Sequence, residues 1–259
     1  MKSILLFMLQ IANICICQSC KCGIQRISTR ISGGVKVLNE ESYPWMAFLS
    51  ITKNNGAVFN CGGSIINEKY MLTAAHCLED AVKVNFAVGS ILKPTSAQLT
   101  EAESFIVHER YTKTTKKNDI ALIKLKVPLS LSNKISPICL PNKGEIASGW
   151  GVTPTGFTTQ LLEINVDEFP GQQCADSWGG LLSTKTQICV GNEKQNACKG
   201  DSGGPLMSLS QGKYTVAGVA SHIKSGQNCG ISGDTVYLRV EPYLDWIATN
   251  TADSKNCFT

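Results

Sequence analysis

The hexapeptide GDSGGP, Gly200–Pro205, is the most informative stretch of the sequence. A serine between an aspartate and two glycines suits a nucleophile on a tight turn, because glycine accepts unusual backbone angles and admits close neighbours. A serine hydroxyl is a weak nucleophile unless a general base lies within reach. An ordinary turn has the same composition, so the motif alone leaves both a catalytic and a purely structural turn open.

The composition indicates a globular protein from an oxidising compartment. The chain has 259 residues, 43% of them hydrophobic and 17% charged, which suits one or two domains. Twelve cysteines in a chain of this length favour disulfide formation. The net charge of +4 comes from residues 1–30, which contain four basic residues and no acidic one. Positions 31–259 carry 20 of each sign, so charge indicates neither a nucleic-acid nor a membrane partner.

The N-terminus has the layout of a secretory signal peptide. Met1 and Lys2 precede a short apolar run over residues 4–12, and small residues follow near Ser19. A membrane anchor is the alternative, but the run is too short to span a bilayer. We predict a signal peptide over residues 1–19, cut at a position between 15 and 19, and a secreted protein.

Short apolar or alternating segments, separated by turn residues, predict an antiparallel all-β structure. The clearest of these segments are residues 45–49, 63–66, 70–73, 120–125 and 214–220. Residues 242–249 differ, because Pro242 suits a first helical turn and Tyr243, Trp246 and Ile247 share one helical face. The sequence therefore predicts two β-barrels or sandwiches closed by a C-terminal α-helix.

A candidate base and a candidate orienting carboxylate occur upstream of the serine. His76 lies in TAAHC, just past an apolar strand, and histidine titrates near neutral pH. A buried structural histidine is the alternative. Asp119 lies in NDIAL, where a carboxylate entering an apolar strand needs a partner. It either holds an imidazole or caps the strand.

The motifs TAAHC, NDIAL and GDSGGP, in this order, resemble the chymotrypsin-like serine proteases of the S1 family, and the CxCG segment at Cys20 resembles arthropod members. The resemblance covers about residues 31–249. It implies two six-stranded antiparallel β-barrels, the trypsin-like fold, with the C-terminal helix. By resemblance Ser202 is the nucleophile, His76 the general base and acid, and Asp119 the residue that orients the imidazole.

The same resemblance assigns further roles around the triad. The backbone N–H groups of Gly200 and Ser202 form the oxyanion hole. Ser221 matches a serine that supports the aspartate. Substrates are polypeptides, no cofactor or metal is expected, and the protein is expected to act as a monomer that protein inhibitors can bind.

The sequence RISGG, which begins at Arg30, resembles the activation site of such proteases. Cleavage there by an arginine-specific protease frees an ammonium group on Ile31, which in the family pairs with the aspartate before the serine, here Asp201. An incidental linker arginine is the alternative. This implies an activation propeptide over residues 20–30 and a catalytic domain over residues 31–259.

If Cys15 and Cys17 leave with the signal peptide, ten cysteines remain, and an even number permits full pairing. The pairs follow from the resemblance, except that Cys20–Cys257 is suggested because these two are left over. A zinc site at Cys20 and Cys22 is the alternative, and it lacks a second ligand cluster. The predicted disulfides are Cys61–Cys77, Cys174–Cys189, Cys198–Cys229, Cys22–Cys139 and Cys20–Cys257.

The predicted specificity pocket departs from that of trypsin. Its base, six residues before the serine, is Asn196, and a neutral amide lacks the charge that attracts arginine or lysine. The alternative is that Asp234 restores basic specificity if the chain is shifted by one position. We expect an uncharged, shortened pocket for small or medium apolar side chains or a polar one. The predicted lining residues are Asn196, Ala197, Ser221, His222, Ile223 and Thr235.

These observations favour a secreted serine endopeptidase made as a zymogen. The alternative is a binding protein or toxin that keeps the protease scaffold while a restricted pocket admits few substrates. The presence of all three triad residues favours the enzyme, whereas Ile223 and Thr235 weigh slightly for the alternative. The sequence leaves the biological setting open.

Overall fold

A computed structural model describes residues 21–25, 35–144, 151–155, 161–191, 201–223 and 235–259 of the chain. Fourteen strands lie in these ranges, separated mostly by turns and short helices. In chain order the strands are β1 (Val35–Lys36), β2 (Met46–Lys53), β3 (Val58–Ile65), β4 (Tyr70–Thr73), β5 (Ala81–Val88), β6 (Thr100–Glu101), β7 (Ser104–Val107), β8 (Ala121–Lys124), β9 (Gly151–Thr155), β10 (Leu162–Glu168), β11 (Gln187–Gly191), β12 (Pro205–Ser210), β13 (Lys213–Ile223) and β14 (Thr235–Arg239).

The strands form two antiparallel sheets. Within the described ranges, the first sheet has the order β6-β5-β2-β3-β4-β8-β7 and the second β1-β10-β11-β14-β13-β12-β9. In the second sheet β9 also pairs with β10, which closes six strands into a ring. The predicted all-β architecture of two curled antiparallel sheets and a C-terminal helix is confirmed. Each sheet has seven described strands instead of six because a two-residue strand, β1 or β6, is added to it.

A continuous apolar core joins the two sheets. Trp45 is fully buried just before β2, and its indole N–H donates to the Met207 sulfur of β12 at 3.0 Å. Val216, Val219 and Leu238 of the second sheet belong to the same buried cluster as the strands of the first. Burial of apolar surface is the main favourable term in folding, so this seam fixes one sheet against the other.

The described ranges contain two α-helices, α1 (Gly171–Ser177) and α2 (Leu244–Asn250). The C-terminal helix α2 starts two residues later than the proline pattern suggests, because a 3-10 turn, Glu241–Tyr243, precedes it. Tyr243 and Ile247 are buried on the predicted face. The Tyr243 hydroxyl donates to the side-chain oxygen of Asn118 at 2.8 Å. The end of the chain therefore packs beside the loop that carries Asp119.

The segment 21–25 is docked onto the body of the protein. Cys22 is fully buried and forms a disulfide with Cys139. The N–H of Gly23 donates to the Pro137 carbonyl at 2.8 Å, and the Tyr214 N–H donates to the Gly23 carbonyl at 2.7 Å. Gly23 has φ +63°, and a Cβ there would lie 2.1 Å from the Tyr214 oxygen, so only glycine fits this contact.

No helix in the described ranges is both long enough and apolar enough to cross a bilayer.

Candidate active site

The histidine candidate lies at the end of a fully buried strand. The strand β4 leads directly into a 3-10 helix, Ala75–Leu78, which contains His76. The disulfide Cys61–Cys77 ties this helix to β3. The imidazole keeps 18% of its side-chain surface exposed, so it is fixed by its neighbours and still open to a reactant.

The aspartate candidate is a buried carboxylate with three hydrogen-bond donors. Asp119 is fully buried, and its Oδ1 accepts from the backbone N–H of His76 at 2.8 Å. Its Oδ2 accepts from Nδ1 of His76 at 2.8 Å and from the hydroxyl of Ser221 at 2.5 Å. A buried charge needs such partners. The double contact fixes both the position of the imidazole and its tautomer, with the proton on Nδ1.

The serine candidate lies where the two sheets meet. The N–H of Gly62 donates to the carbonyl of Ser202 at 2.8 Å, and the N–H of Gly203 donates to the carbonyl of Ala220 at 2.8 Å. Gly203 has φ +78°, and a Cβ there would lie 2.2 Å from the Thr73 hydroxyl oxygen. The serine turn is therefore held between the strand that leads to His76 and the strand that leads to Ser221.

A second histidine is linked to the same carboxylate. Nδ1 of His222 lies 3.0 Å from the Ser221 hydroxyl oxygen. The His222 ring contacts Trp178 in an edge-on arrangement, with ring centroids 5.0 Å apart and planes at 88°. Burial lowers the pKa of His222 to about 4, so its imidazole is neutral near neutral pH.

An ionic network connects the two loops that carry His76 and Asp119. Glu79, just after the 3-10 helix, accepts from the Tyr111 hydroxyl and from the ammonium groups of Lys113 and Lys116, both at 3.0 Å. Burial alone would raise the pKa of Glu79, but these hydrogen bonds outweigh it and lower the pKa to about 2. The two loops are thereby tied together across a short polar bridge.

Two predicted pocket residues lie opposite each other on adjacent strands. Ile223 of β13 and Thr235 of β14 are register partners, and Thr235 is buried. Asp201, the predicted activation partner, is also buried, with 4% of its surface exposed. Several other candidates lie outside the described residues: Arg30, Ile31, Asn196, Ala197, Gly200 and Asp234.

Three disulfides are present in the described ranges, and they are pairs named from the resemblance: Cys22–Cys139, Cys61–Cys77 and Cys174–Cys189. The last closes the loop over helix α1 (Gly171–Ser177), next to Trp178. Cys257 is also disulfide-bonded. Its predicted partner Cys20 and the predicted pair Cys198–Cys229 lie outside the described residues. In the described part of the chain, no group of three or more His, Cys, Asp or Glu is arranged to hold a metal ion.

Sequence reasoning missed two features of this site. The partners of Glu79 are 32 and 37 residues away in the chain, so no local pattern marks them. His222 was predicted only as a pocket residue. The one signal for its second contact was its place directly after the serine that supports the aspartate.

Two curled antiparallel sheets that meet at a serine turn, a histidine and a buried aspartate define a serine endopeptidase of the chymotrypsin-like class. The sequence model of the trypsin family matches residues 31–247. The chain therefore belongs to the trypsin family and is a serine endopeptidase.

Similar sequences come from insects. The chain is 34% identical to CLIP domain-containing serine protease B4 of Anopheles gambiae, over 90% of this chain and 73% of that protein. It is 33% identical to melanization protease 1 of Drosophila melanogaster, over 88% of this chain and 67% of that protein. It is 32% identical to phenoloxidase-activating enzyme 1 of Spodoptera litura, over 90% of this chain and 70% of that protein.

Solved structures show the same fold. HL collagenase superimposes with a TM-score of 0.76 at 31% identity, covering 86% of this chain and 99% of that one. The Drosophila Grass clip serine protease of the Toll pathway gives a TM-score of 0.75 at 28% identity, covering 92% of this chain and 76% of that one.

Proposed function

We propose that the chain is the zymogen of a secreted serine endopeptidase that cuts polypeptides through an acyl-enzyme on Ser202. In this mechanism His76 accepts the proton of the Ser202 hydroxyl as the serine attacks the scissile carbonyl, and later donates it to the leaving amine. Asp119 stabilises the imidazolium that forms. The N–H groups of Gly200 and Ser202 donate to the oxyanion of the tetrahedral intermediate. The observation that carries this proposal is the pair of 2.8 Å contacts between His76 and Asp119 beside the serine turn.

The domain limits belong to this proposal: a signal peptide over residues 1–19, a propeptide over residues 20–30 and a catalytic domain from residue 31. Cleavage after Arg30 frees the Ile31 ammonium, which pairs with Asp201. A buried carboxylate supports this assignment, because two buried charges are tolerated as a pair and breaking such a pair costs about 3–5 kcal/mol. The pair completes the oxyanion loop only after cleavage.

The substrate pocket is uncharged and shortened. Asn196 at its base provides no charge for an arginine or lysine side chain, and Ile223 and Thr235 narrow the space beside it. The register pairing of Ile223 with Thr235 supports a common wall. The names of the relatives, phenoloxidase-activating enzyme and melanization protease, support a role in a proteolytic cascade with protein substrates.

The test is to express the chain with its propeptide, cut it after Arg30 with an arginine-specific protease and profile a peptide library. The proposal predicts a new N-terminus at Ile31, no activity before cleavage, and cuts after small or medium apolar or polar residues. Dominant cutting after arginine or lysine would contradict the uncharged pocket. Equal activity of an Arg30→Gln variant, which cannot be cleaved there, would contradict the zymogen.

A further inference from the structure

The hydrogen-bond chain around Asp119 extends to a second imidazole. Asp119 accepts from Nδ1 of His76 at 2.8 Å and from the hydroxyl of Ser221 at 2.5 Å. A carboxylate has no proton to give, so the Ser221 hydroxyl proton points to Asp119. The Ser221 oxygen is then left as an acceptor, and Nδ1 of His222, 3.0 Å away, supplies the proton of that contact.

This geometry fixes the tautomer of His222. A neutral imidazole has one N–H, and here it lies on Nδ1. The ring cannot rotate freely, because it packs edge-on against Trp178 at 5.0 Å. Trp178 in turn packs on the disulfide Cys174–Cys189, which is a rigid support. Among the residues that the structure describes, the charged or titratable groups that act on His222 are Asp119, His76 and Lys116.

We propose that His222 is a positioning residue for the catalytic aspartate, acting through Ser221. This inference rests on the proposed roles of Ser202, His76 and Asp119. The N–H of His222 holds the Ser221 oxygen, so that the hydroxyl proton stays directed at Asp119. Hydrogen bonds in a chain polarise one another, so the contact from Ser221 to the carboxylate is strengthened.

The consequence is a measurable effect on His76. When the hydrogen bond from Ser221 to Asp119 weakens, the carboxylate oxygens keep more of their negative charge and attract the His76 imidazolium more strongly. The acid limb of the kcat/KM profile, which reports the essential base of the free enzyme, then moves to higher pH. The low pKa of His222 itself, about 4, keeps its own titration out of that limb.

The test uses the enzyme activated at Arg30 and five variants, H222A, H222Q, H222N, S221A and S221A/H222A, with active sites counted by burst titration. An asparagine side chain places its amide where Nδ1 of histidine lies, whereas a glutamine places it nearer Nε2. H222A and H222Q are expected to move the acid limb up by about half a pH unit. They are also expected to lower kcat about fivefold, because Asp119 and the imidazole that it orients are then held less firmly. H222N is expected to restore both values to within about twofold of the original enzyme. In an S221A background, H222A is expected to add no further shift.

Several results overturn the proposal. In one of them, the acid limb of H222A stays unchanged and only KM changes, by an amount that depends on the substrate. That result would mean that His222 only lines the substrate pocket. Others are equal behaviour of H222N and H222Q, or a full additional shift in S221A/H222A. If H222A does not fold, the H222N and H222Q pair decides alone, because both keep a polar side chain of similar size. If the activated enzyme without substitutions has no activity, the result contradicts the proposed function and not the link from His222 through Ser221 to Asp119.

Discussion

Asp119 shows how a single buried carboxylate is made stable beside a histidine. The carboxylate is fully buried, and its two oxygens accept three hydrogen bonds, from the backbone and ring of His76 and from Ser221. The sequence predicted that this carboxylate needs a partner. It could not specify which donors surround it, because Ser221 lies 102 residues further along the chain.

The substitution Asp119→Asn is expected to lower kcat by about ten-thousandfold with little change in KM. The amide can donate to Nδ1 of His76, which places the imidazole in the wrong tautomer for accepting the serine proton. Steady-state kinetics on a peptide substrate checks this. Asp245→Asn, at an exposed ion pair with Lys143, is the control and should leave kcat unchanged. A loss below about tenfold for Asp119→Asn would contradict the assigned role.

Gly203, directly after Ser202, has no space for a side chain. Gly203→Ala is expected to lower the free energy of unfolding by about 4 kcal/mol or more, because the new Cβ meets Thr73 and the carbonyl of Gly62. Gly56→Ala is the matched control. Gly56 also has positive φ, +82°, but has open space around it, so only about 1–2 kcal/mol is expected. Urea unfolding compares the two. Equal losses of unfolding free energy in the two variants would mean that the contact of the new Cβ with Thr73 and Gly62 has no effect on stability.

At the scale of elements, the strands were easier to predict than the contacts between loops. The segment 70–73 matches β4, because four consecutive buried residues leave a clear apolar run. Helix α1 was missed, because a seven-residue helix with one buried residue has no apolar period to recognise. The Glu79 network was missed because it joins separate loops through side chains.

The contribution of the Glu79 network to stability is expected to depend on pH. The pKa of Glu79 lies at about 2 in the folded protein against an ordinary value of 4.5. Its stabilising contribution is therefore complete above pH 4.5 and is lost as the pH falls towards about 2. Glu79→Gln is expected to lower the free energy of unfolding by about 1–2 kcal/mol near neutral pH, and the difference from the original protein should vanish at low pH.

Urea unfolding of both proteins across this pH range measures the difference. Glu103→Gln is the control, because its carboxylate is half-exposed and 3.8 Å from Lys124. Such a surface pair is expected to contribute less than about 0.5 kcal/mol at any pH. A loss in Glu79→Gln that stays constant down to the lowest pH would show that the effect is not due to the carboxylate charge.

At the scale of the whole molecule, the site is assembled from both sheets. In the first sheet, His76 follows β4 and Asp119 precedes β8. In the second, Ser202 precedes β12 and Ser221 lies near the end of β13. The apolar segments and the family resemblance carried by the three motifs predicted two β-units. The seam between the sheets could not be predicted, because it depends on packing such as that of Trp45 against Met207.

The docked segment 21–25 leads to a prediction about the activated protein. After cleavage behind Arg30, the propeptide is expected to stay attached, because Cys22 remains bonded to Cys139 and Gly23 remains paired with Tyr214. Intact mass spectrometry without reductant should show a gain of one water molecule, and reduction should release the propeptide. Loss of the propeptide mass without reductant would contradict the prediction.

Ser202 is expected to become a reactive nucleophile once the chain is cut after Arg30. The most direct measurement is covalent labelling with a fluorophosphonate, which reacts with an activated serine, followed by peptide mass spectrometry. Labelling is expected at Ser202 after cleavage, with little labelling before it and none in Ser202→Ala, whose fold should be intact. Absence of labelling in the cleaved protein, or equal labelling before and after cleavage, would contradict it.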